Sequence, residues 1–459
     1  MNKKHDLVGW DKAWSAFAEV LGDVHKRYPE WLALTRYLVG VVATAHPSKS
    51  GLAPPDGQVS PLKSDGTQEG VLFIPMFDRD YCLGVCYRLA KKFKKSAPDN
   101  DIHFIIPHGK LTEPIANDPD VFWHSKEVLR KPHCDVGLCI RGVMTYLRAC
   151  CALVFDKRTN KAMAVDFGCW PLHLAKFVGI YYWQIAAAKK FLRKNKIKVV
   201  VTINDVVKPA APFISAARQL GLETVVLQHG APGPQSAPFI AKHGWVWGET
   251  SRDLLCDFGA TSERLEIIGN LEIDCCRYAS EISSEVGYEL LLLSQWRAST
   301  GWGEPEFQQF FSNVASAAKV SKHPWTLKIR LHPNEDEQVM QKIIKLIDPF
   351  EVPYEFSMSE TSVEEDIAYS DFACTVNSSS IMHAVAALKP CAVLISAVLE
   401  QRVGAPLLQR SQVARDTQEL VELLNNKVPL EPEDRETIIA NFGRSNGKAA
   451  DKLVELMRD

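Results

Sequence analysis

Short, wholly apolar runs alternate with helical segments along most of this chain, and that alternation restricts the fold more than any other feature. Val71–Pro75 (VLFIP) and Ile102–Pro107 (IHFIIP) flank a helical stretch from Tyr81 to Phe93. Lys198–Ile203 (KVVVTI), a helix from about Pro212 to Leu220, and Glu223–Leu227 (ETVVL) follow. A second series is expected after Gly244. It opens with Trp245–Gly248 (WVWG), a helix near Ser251 to Phe258 and Leu265–Ile268 (LEII). Glu289–Leu293 (ELLLL), Thr326–Leu331 (TLKIRL), Asp371–Val376 (DFACTV) and Cys391–Ile395 (CAVLI) continue it. Strands apolar on both faces, alternating with helices, belong to parallel sheets covered on both sides. The expected fold class is therefore α/β, with two doubly wound, Rossmann-like domains facing a cleft. They would span residues 71–265 and 266–430, preceded by a helical extension (1–50) and a linker (51–70) and followed by a helical segment (431–459). In the extension, Trp10, Trp14, Phe17, Val20 and Leu21 fall on one helical face. Neither a fixed-period repeat nor a low-complexity segment is visible.

Composition narrows the function. Across 459 residues, 53 basic and 55 acidic side chains leave a net charge of −2. That balance argues against nucleic acid as a partner. No apolar run reaches the ~18 residues needed to span a bilayer; Trp31–Ala45 is broken by Thr35 and Arg36. Without a signal-like N-terminus, a cytoplasmic protein is expected. The 12 cysteines show no C-x-x-C spacing, and His133, Cys134 and Cys139 lack a second matching half. Buried free thiols are the expectation. P-loop, H-E-x-x-H, G-x-S-x-G and kinase signatures are absent.

In open parallel sheets, ligands bind beyond the carboxyl ends of the strands, so the residues after each expected strand carry the chemistry. Lys198–Ile203 runs into Asn204–Asp205, and Glu223–Leu227 runs into Gln228–His229–Gly230. One strand–helix–strand unit separates Asp205 from His229. A carboxylate beside an imidazole suits general-base or nucleophilic work; helix capping and a structural hydrogen bond are the alternatives. In the second series the tips are Ser294–Gln295, His332–Pro333 and Asn377–Ser378–Ser379–Ser380. Hydroxyls and backbone N–H groups opening a helix suit an anion, although serine also caps helices with no ligand. Basic clusters at Lys91, Lys92, Lys94 and Lys95 and at Lys189, Lys190, Arg193, Lys194 and Lys196 fit solvated helix ends. The functional counterpart is a membrane-surface patch.

Together these segments resemble the two-domain, GT-B-type glycosyltransferases of bacterial surface polysaccharides. The resemblance is nearest to the capsule and lipopolysaccharide group that uses CMP-activated acidic sugars, including Kdo transferases and polysialyltransferases. CDP-glycerol glycerophosphotransferases look like more distant relatives. It rests on Asn204–Asp205, "TVVLQHG" (Thr224–Gly230), "WGE" (Trp247–Glu249), "IIGN" (Ile267–Asn270), "RLHP" (Arg330–Pro333) and "NSSSIMHAVAALKP" (Asn377–Pro390), in order over residues 71–425.

The resemblance implies a nucleotide-sugar donor in the C-terminal domain and a glycan or lipid-linked acceptor at the N-terminal one. His332 and Pro333 would match the His-Pro motif at the nucleotide phosphate, and Ser378 and Ser379 a hydroxyl pair there. Ser294, Gln295, Asn377 and Ser380 would complete the donor site. Asp205 would match an acid that attacks the anomeric carbon or deprotonates the acceptor, with His229 across from it. Asn204, Gln228, Gly230 and Glu249 would support them. No metal and no cofactor are expected, and peripheral membrane association fits a lipid-linked acceptor. The acidic-acidic-glycine motif of the polysialyltransferases has no copy in the N-terminal half. Three alternatives share the architecture: a nucleotide-sugar epimerase or hydrolase, a CDP-polyol phosphotransferase, and a non-catalytic binding subunit. The epimerases' G-T-R-P-E-type loop is replaced here by Met76–Phe77–Asp78–Arg79–Asp80.

Overall fold

The computed structural model describes residues 68–75, 80–106, 118–129, 170–205, 209–230, 239–271, 288–294, 304–332, 335–357, 361–376, 380–387, 389–394, 412–426 and 445–458, with single positions between them. The expected N-terminal helix and linker lie outside these residues, as do His133, Cys134 and Cys139.

Two parallel sheets form the two lobes. The first contains β1 (Gly70–Ile74), β2 (Asp101–Ile106), β3 (Val121–Ser125), β4 (Ile197–Thr202), β5 (Glu223–Leu227), β6 (His243–Val246) and β7 (Leu265–Ile267). Their spatial order is β3-β2-β1-β4-β5-β6-β7. Helices α1 (Asp80–Ser96), α2 (Trp170–Lys194), α3 (Ala210–Gln219) and α4 (Glu249–Asp257) connect them. Strand periodicity sends alternate residues to opposite faces. Leu72 and Ile74 join one core with Tyr181, Ile185, Phe213 and Ile214 of α2 and α3. Val71 and Phe73 join another with Leu89 and Phe93 of α1. Burial on both faces is why the strands read as unbroken apolar runs.

The second lobe contains β8 (Tyr288–Leu293), β9 (Trp325–Arg330), β10 (Tyr354–Phe356), β11 (Phe372–Thr375), β12 (Cys391–Leu394) and β13 (Gln412–Ala414). The order is β10-β9-β8-β11-β12-β13, again wholly parallel. Its helices are α5 (Glu304–Val320), α6 (Glu337–Ile347), α7 (Val363–Tyr369), α8 (Ile381–Ala386) and α9 (Thr417–Asn426). Helix α6 starts at Asp336, whose carboxylate accepts from the N–H groups of Gln338 and Val339, and α7 at a Ser362–Glu365 capping box.

Both lobes thus have the strand order of doubly wound folds, and two expectations are corrected in detail. The strands after Gly244 belong to the first sheet: β6 pairs with β5, and β7 with β6. Strand β6 also begins and ends two residues before the expected Trp245–Gly248. Trp247 is apolar for a different reason, because its side chain is buried in the core of the second lobe. The last helix is α10 (Lys448–Arg458). It packs on α1 and adds Ala449, Ala450 and Leu453 to the first-lobe core. Cys86, Cys374 and Cys391 are buried and Cys256 is half-buried, and none of the four is in a disulfide. Among the described residues, no helix is long and apolar enough to cross a membrane.

Candidate functional site

Each sheet reverses its winding between its first and fourth strands, β1|β4 in one lobe and β8|β11 in the other, and crevices for ligands open at such points. The two lobes build this point alike. Thr202, the last residue of β4, directs its hydroxyl to the carbonyl of Ile74 at the end of β1 (3.0 Å) and accepts from the Asn204 N–H (3.2 Å). Thr375, the last residue of β11, directs its hydroxyl to the carbonyl of Leu293 at the end of β8 (2.8 Å) and accepts from the Ser378 N–H (3.1 Å). The sequence carries the equivalence as Thr202-Ile203-Asn204 and Thr375-Val376-Asn377, a signal that strand reading alone passes over.

In the first lobe, β4 and β5 are hydrogen-bonded neighbours, which brings the Asp205 and His229 tips side by side as expected. Asp205 is 2% exposed, and its Oδ2 accepts from the N–H groups of Ile240 and of Ala241 (3.0 Å). The rest of that turn is pinned by two arginines. Arg264 bonds the carbonyls of Phe239, Ala241 and Lys242 and lies over the Phe239 ring, and Arg218 bonds the carbonyl of Ile240. Burial and the nearby Arg218 push the Arg264 pKa down, and the Asp205 charge opposes them. Buried backbone must find partners; here one anion and two cations supply them.

His229 is half-buried, and its ring bonds the carbonyl of Ile203. Burial pushes its pKa down to about 4, so the imidazole is neutral near pH 7. With one N–H bonded to a carbonyl, the other ring nitrogen is the basic one. Gln228 is a structural clamp. Its amide donates to Gly230 O (3.0 Å) and Ser251 Oγ (2.9 Å) and accepts from the Trp247 N–H (2.9 Å). Glu249, exposed in the first turn of α4, pairs with Arg252.

In the second lobe, the tips of β8 and β9 are joined by a residue that strand reading missed. Glu335 accepts from the Ser294 hydroxyl (3.0 Å) and from the His332 N–H (2.6 Å), and its own N–H donates to His332 O (2.7 Å). Its place three residues after His332 was the available signal. Arg330 anchors this tip to α7 through Asp366, a carboxylate 1% exposed, and Ser357 also bonds that carboxylate (2.5 Å). Ser378 Oγ accepts from the Ser380 N–H (3.3 Å), and the Ser378 carbonyl from the Ile381 N–H. Gln295, Pro333, Asn377 and Ser379 lie outside the described residues.

The lobes touch beside these tips. Trp247, just past the carboxyl end of β6, is packed in the second-lobe core. His383 on α8, after β11, is buried and lies 3.7 Å from Glu364. Its pKa is lowered by burial and by the charge of Arg88, which projects from α1 of the other lobe. Among the described residues, no group of three His, Cys, Asp or Glu side chains is placed to hold a metal ion.

No protein-family model and no curated protein sequence matches the chain. Solved structures do. A glycosyltransferase from Rickettsia africae is 10% identical with a TM-score of 0.52, covering 85% of this chain and 98% of that one. The UDP-GlcNAc 2-epimerase of Neisseria meningitidis, bound to UDP-GlcNAc, is 14% identical with a TM-score of 0.50, covering 85% and 99%. The UDP-GlcNAc 2-epimerase of Methanocaldococcus jannaschii is 12% identical with a TM-score of 0.50 over the same shares. At such identities the likeness shows the fold, a two-domain α/β architecture of the GT-B type.

Proposed function

We propose that this chain is a metal-independent glycosyltransferase that moves a sugar from a nucleotide donor to a surface-polysaccharide acceptor. The observation that carries this reading is the pair of equivalent switch points, one per lobe, with the lobes in contact beside them. The donor nucleotide sits at the β8|β11 tip, and the acceptor sits at the β4 and β5 tips. The ordered motifs from Asn204 to Pro390 support a CMP-activated acidic sugar such as Kdo as the donor. The acceptor is a glycan carried on lipid, so the protein works at the cytoplasmic face of a membrane without spanning it.

The reaction displaces a phosphate from a sugar carbon, and negative charge grows on the leaving group. Preorganised donors aimed there lower the barrier most. The His332 amide is bonded to Glu335, so contact with the phosphate comes through the His332 imidazole. The hydroxyls of Ser378 and Ser380 are the second source of donors, since the N–H groups of both are already bonded within the turn, and Ser294 stands at the tip of β8. Gln295, Pro333, Asn377 and Ser379 are assigned to the donor site by the resemblance alone. Glu335 fixes the loop that carries His332. On the acceptor side, His229 has a basic nitrogen and takes the proton of the attacking hydroxyl. Asp205, bonded to the 240–241 turn, acts as a positioning residue in this reading. Gln228, Gly230 and Asn204 shape the same tip.

The names of the N. meningitidis and M. jannaschii structures favour a second reading, a nucleotide-sugar epimerase. The sequence Met76–Phe77–Asp78–Arg79–Asp80 that follows β1 departs from the G-T-R-P-E-type sequence of that group. Incubation with a panel of labelled nucleotide sugars and a polysaccharide acceptor decides. Transfer of label to acceptor from a CMP-sugar supports the proposal. An epimerised donor supports the second reading, and tight binding without product overturns both.

A further inference from the structure

The segment Arg330–Pro333 brings an arginine as well as a histidine to the tip of β9, and the reaction proposed above uses only the histidine. The Arg330 guanidinium turns towards α7. There it donates to Asp366 Oδ2 (2.5 Å), to the carbonyl of Thr361 (3.0 Å) and to Ser357 Oγ (3.3 Å). Asp366 is 1% exposed, and both of its oxygens are engaged. Oδ2 also accepts from Ser357 Oγ (2.5 Å), and Oδ1 accepts from Thr361 Oγ1 (3.2 Å) with Lys328 Nζ 3.7 Å away. Ser357 directly follows β10, and its N–H donates to Ile329 O (2.9 Å). On the other flank, the Ser294 N–H beyond β8 donates to Arg330 O (3.0 Å). The end of β9 is thus clamped from both sides, two residues before His332.

Stability alone is a poor reason for such a pair. Taking a carboxylate and a guanidinium out of water is costly, and apolar residues of similar volume often hold a fold as well or better. What the pair supplies is direction, because the guanidinium is a rigid planar fork and a carboxylate held by two hydroxyls receives it in one orientation. We infer that Asp366 is a positioning residue, which through Arg330 fixes the β9 tip so that the His332 imidazole faces the donor phosphate. This rests on the reading of the second lobe as the nucleotide lobe. It gives α7 a part in donor binding although none of its residues belongs to the donor site.

Arg330→Met with Asp366→Leu tests it, since the two changes remove both charges and keep most of the volume. The groups left behind retain partners: the Ser357 and Thr361 hydroxyls bond each other (2.9 Å), and Lys328 lies 3.5 Å from Glu289 and 3.8 Å from Glu355. The urea midpoint should hold, while CMP affinity falls by about tenfold or more, the order of one charge-assisted hydrogen bond. In magnetic resonance spectra of histidine-labelled protein, assigned with His332→Ala, the His332 imidazole signal should move and those of His229 and His323 should stay. A His332 signal that stays in place overturns the inference, as does one that moves together with the other two, which is general loosening. Where the native chain binds CMP, unchanged affinity in the variant overturns it as well. A native chain that binds no CMP rejects the donor reading instead, and the His332 signal still decides the placement. If the double variant does not fold, Ser357→Ala removes one donor to Asp366 and should move the same signal and weaken CMP by about threefold; no change in either overturns the inference.

Discussion

Asp205 and His229 sit on adjacent strand tips, yet their surroundings give them different work. The Asp205 carboxylate is taken by two backbone N–H groups in a turn that Arg218 and Arg264 hold from the other side. Asp205→Asn keeps an acceptor but loses the charge, and hydrogen bonds to charged groups are worth about 1.5–3 kcal/mol. The variant should lose about that much stability in urea unfolding, with activity falling in step with the folded fraction. An inactive variant of unchanged stability would return Asp205 to a chemical role. A second residue-scale prediction concerns the buried His103 and the half-buried His124, whose rings share a hydrogen bond (3.0 Å) inside the first lobe. Burial pushes His103 down to about 3 and His124 down to about 4, from the ordinary 6.5. The unfolded chain therefore binds protons first as pH falls. The stability these rings contribute is complete above about pH 6.5 and is lost as pH drops towards 4 and then 3, at about 1.4 kcal/mol per pH unit per ring. The urea midpoint of the first lobe should drop between about pH 7.5 and about pH 5. His124→Phe, which keeps a ring against Phe191, should flatten that slope by about half. A midpoint insensitive to pH would show that these rings titrate normally.

Elements were legible where burial on both faces made them so. β5 falls at Glu223–Leu227 as read, and β4, β8, β9 and β12 within a residue, because a central parallel strand must be apolar throughout. Three of the four edge strands, β3, β10 and β13, were not read. VFWHS, YEF and QVA mix polar with apolar residues, since an edge strand is covered less completely. Trp247 misled for a related reason: hydrophobicity reports burial, not the element or lobe that provides it. The site was legible as strand tips, but side-chain partners were not. Nothing in the spacing tells that Glu335 bonds Ser294 across from β9, or that Asp205 meets residues 35 and 36 positions away. The switch-point threonines give the element-scale prediction. Thr375→Val removes the tie from β11 to β8 and the acceptor for the Ser378 N–H while keeping the shape. Nucleotide affinity should fall by about tenfold, the effect of roughly 1.4 kcal/mol, whereas Thr202→Val in the other lobe should leave it unchanged. Equal losses from both would mean that the second lobe is not where the nucleotide sits.

At the scale of the whole molecule, the chain crosses between lobes more than once. Trp247 reaches from the first lobe into the core of the second, and α10 returns from the second to pack on α1 of the first. Lys448 at the start of α10 bonds the carbonyl of Ile267 at the end of β7, so both crossings lie near the same junction. Two lobes tied in this way are held against each other, an arrangement suited to a transferase with donor and acceptor on separate domains. The nucleotide is the partner that reports on this arrangement without knowledge of the acceptor. A ligand bound to the native state alone raises stability by about 2.7 kcal/mol at a hundredfold excess over its Kd. Thermal unfolding with CMP, CDP, UDP and GDP, on the native chain and on His332→Ala, is the most direct measurement. The account predicts that CMP raises the midpoint by several degrees and that His332→Ala removes the shift. A midpoint that none of the four nucleotides moves would contradict it.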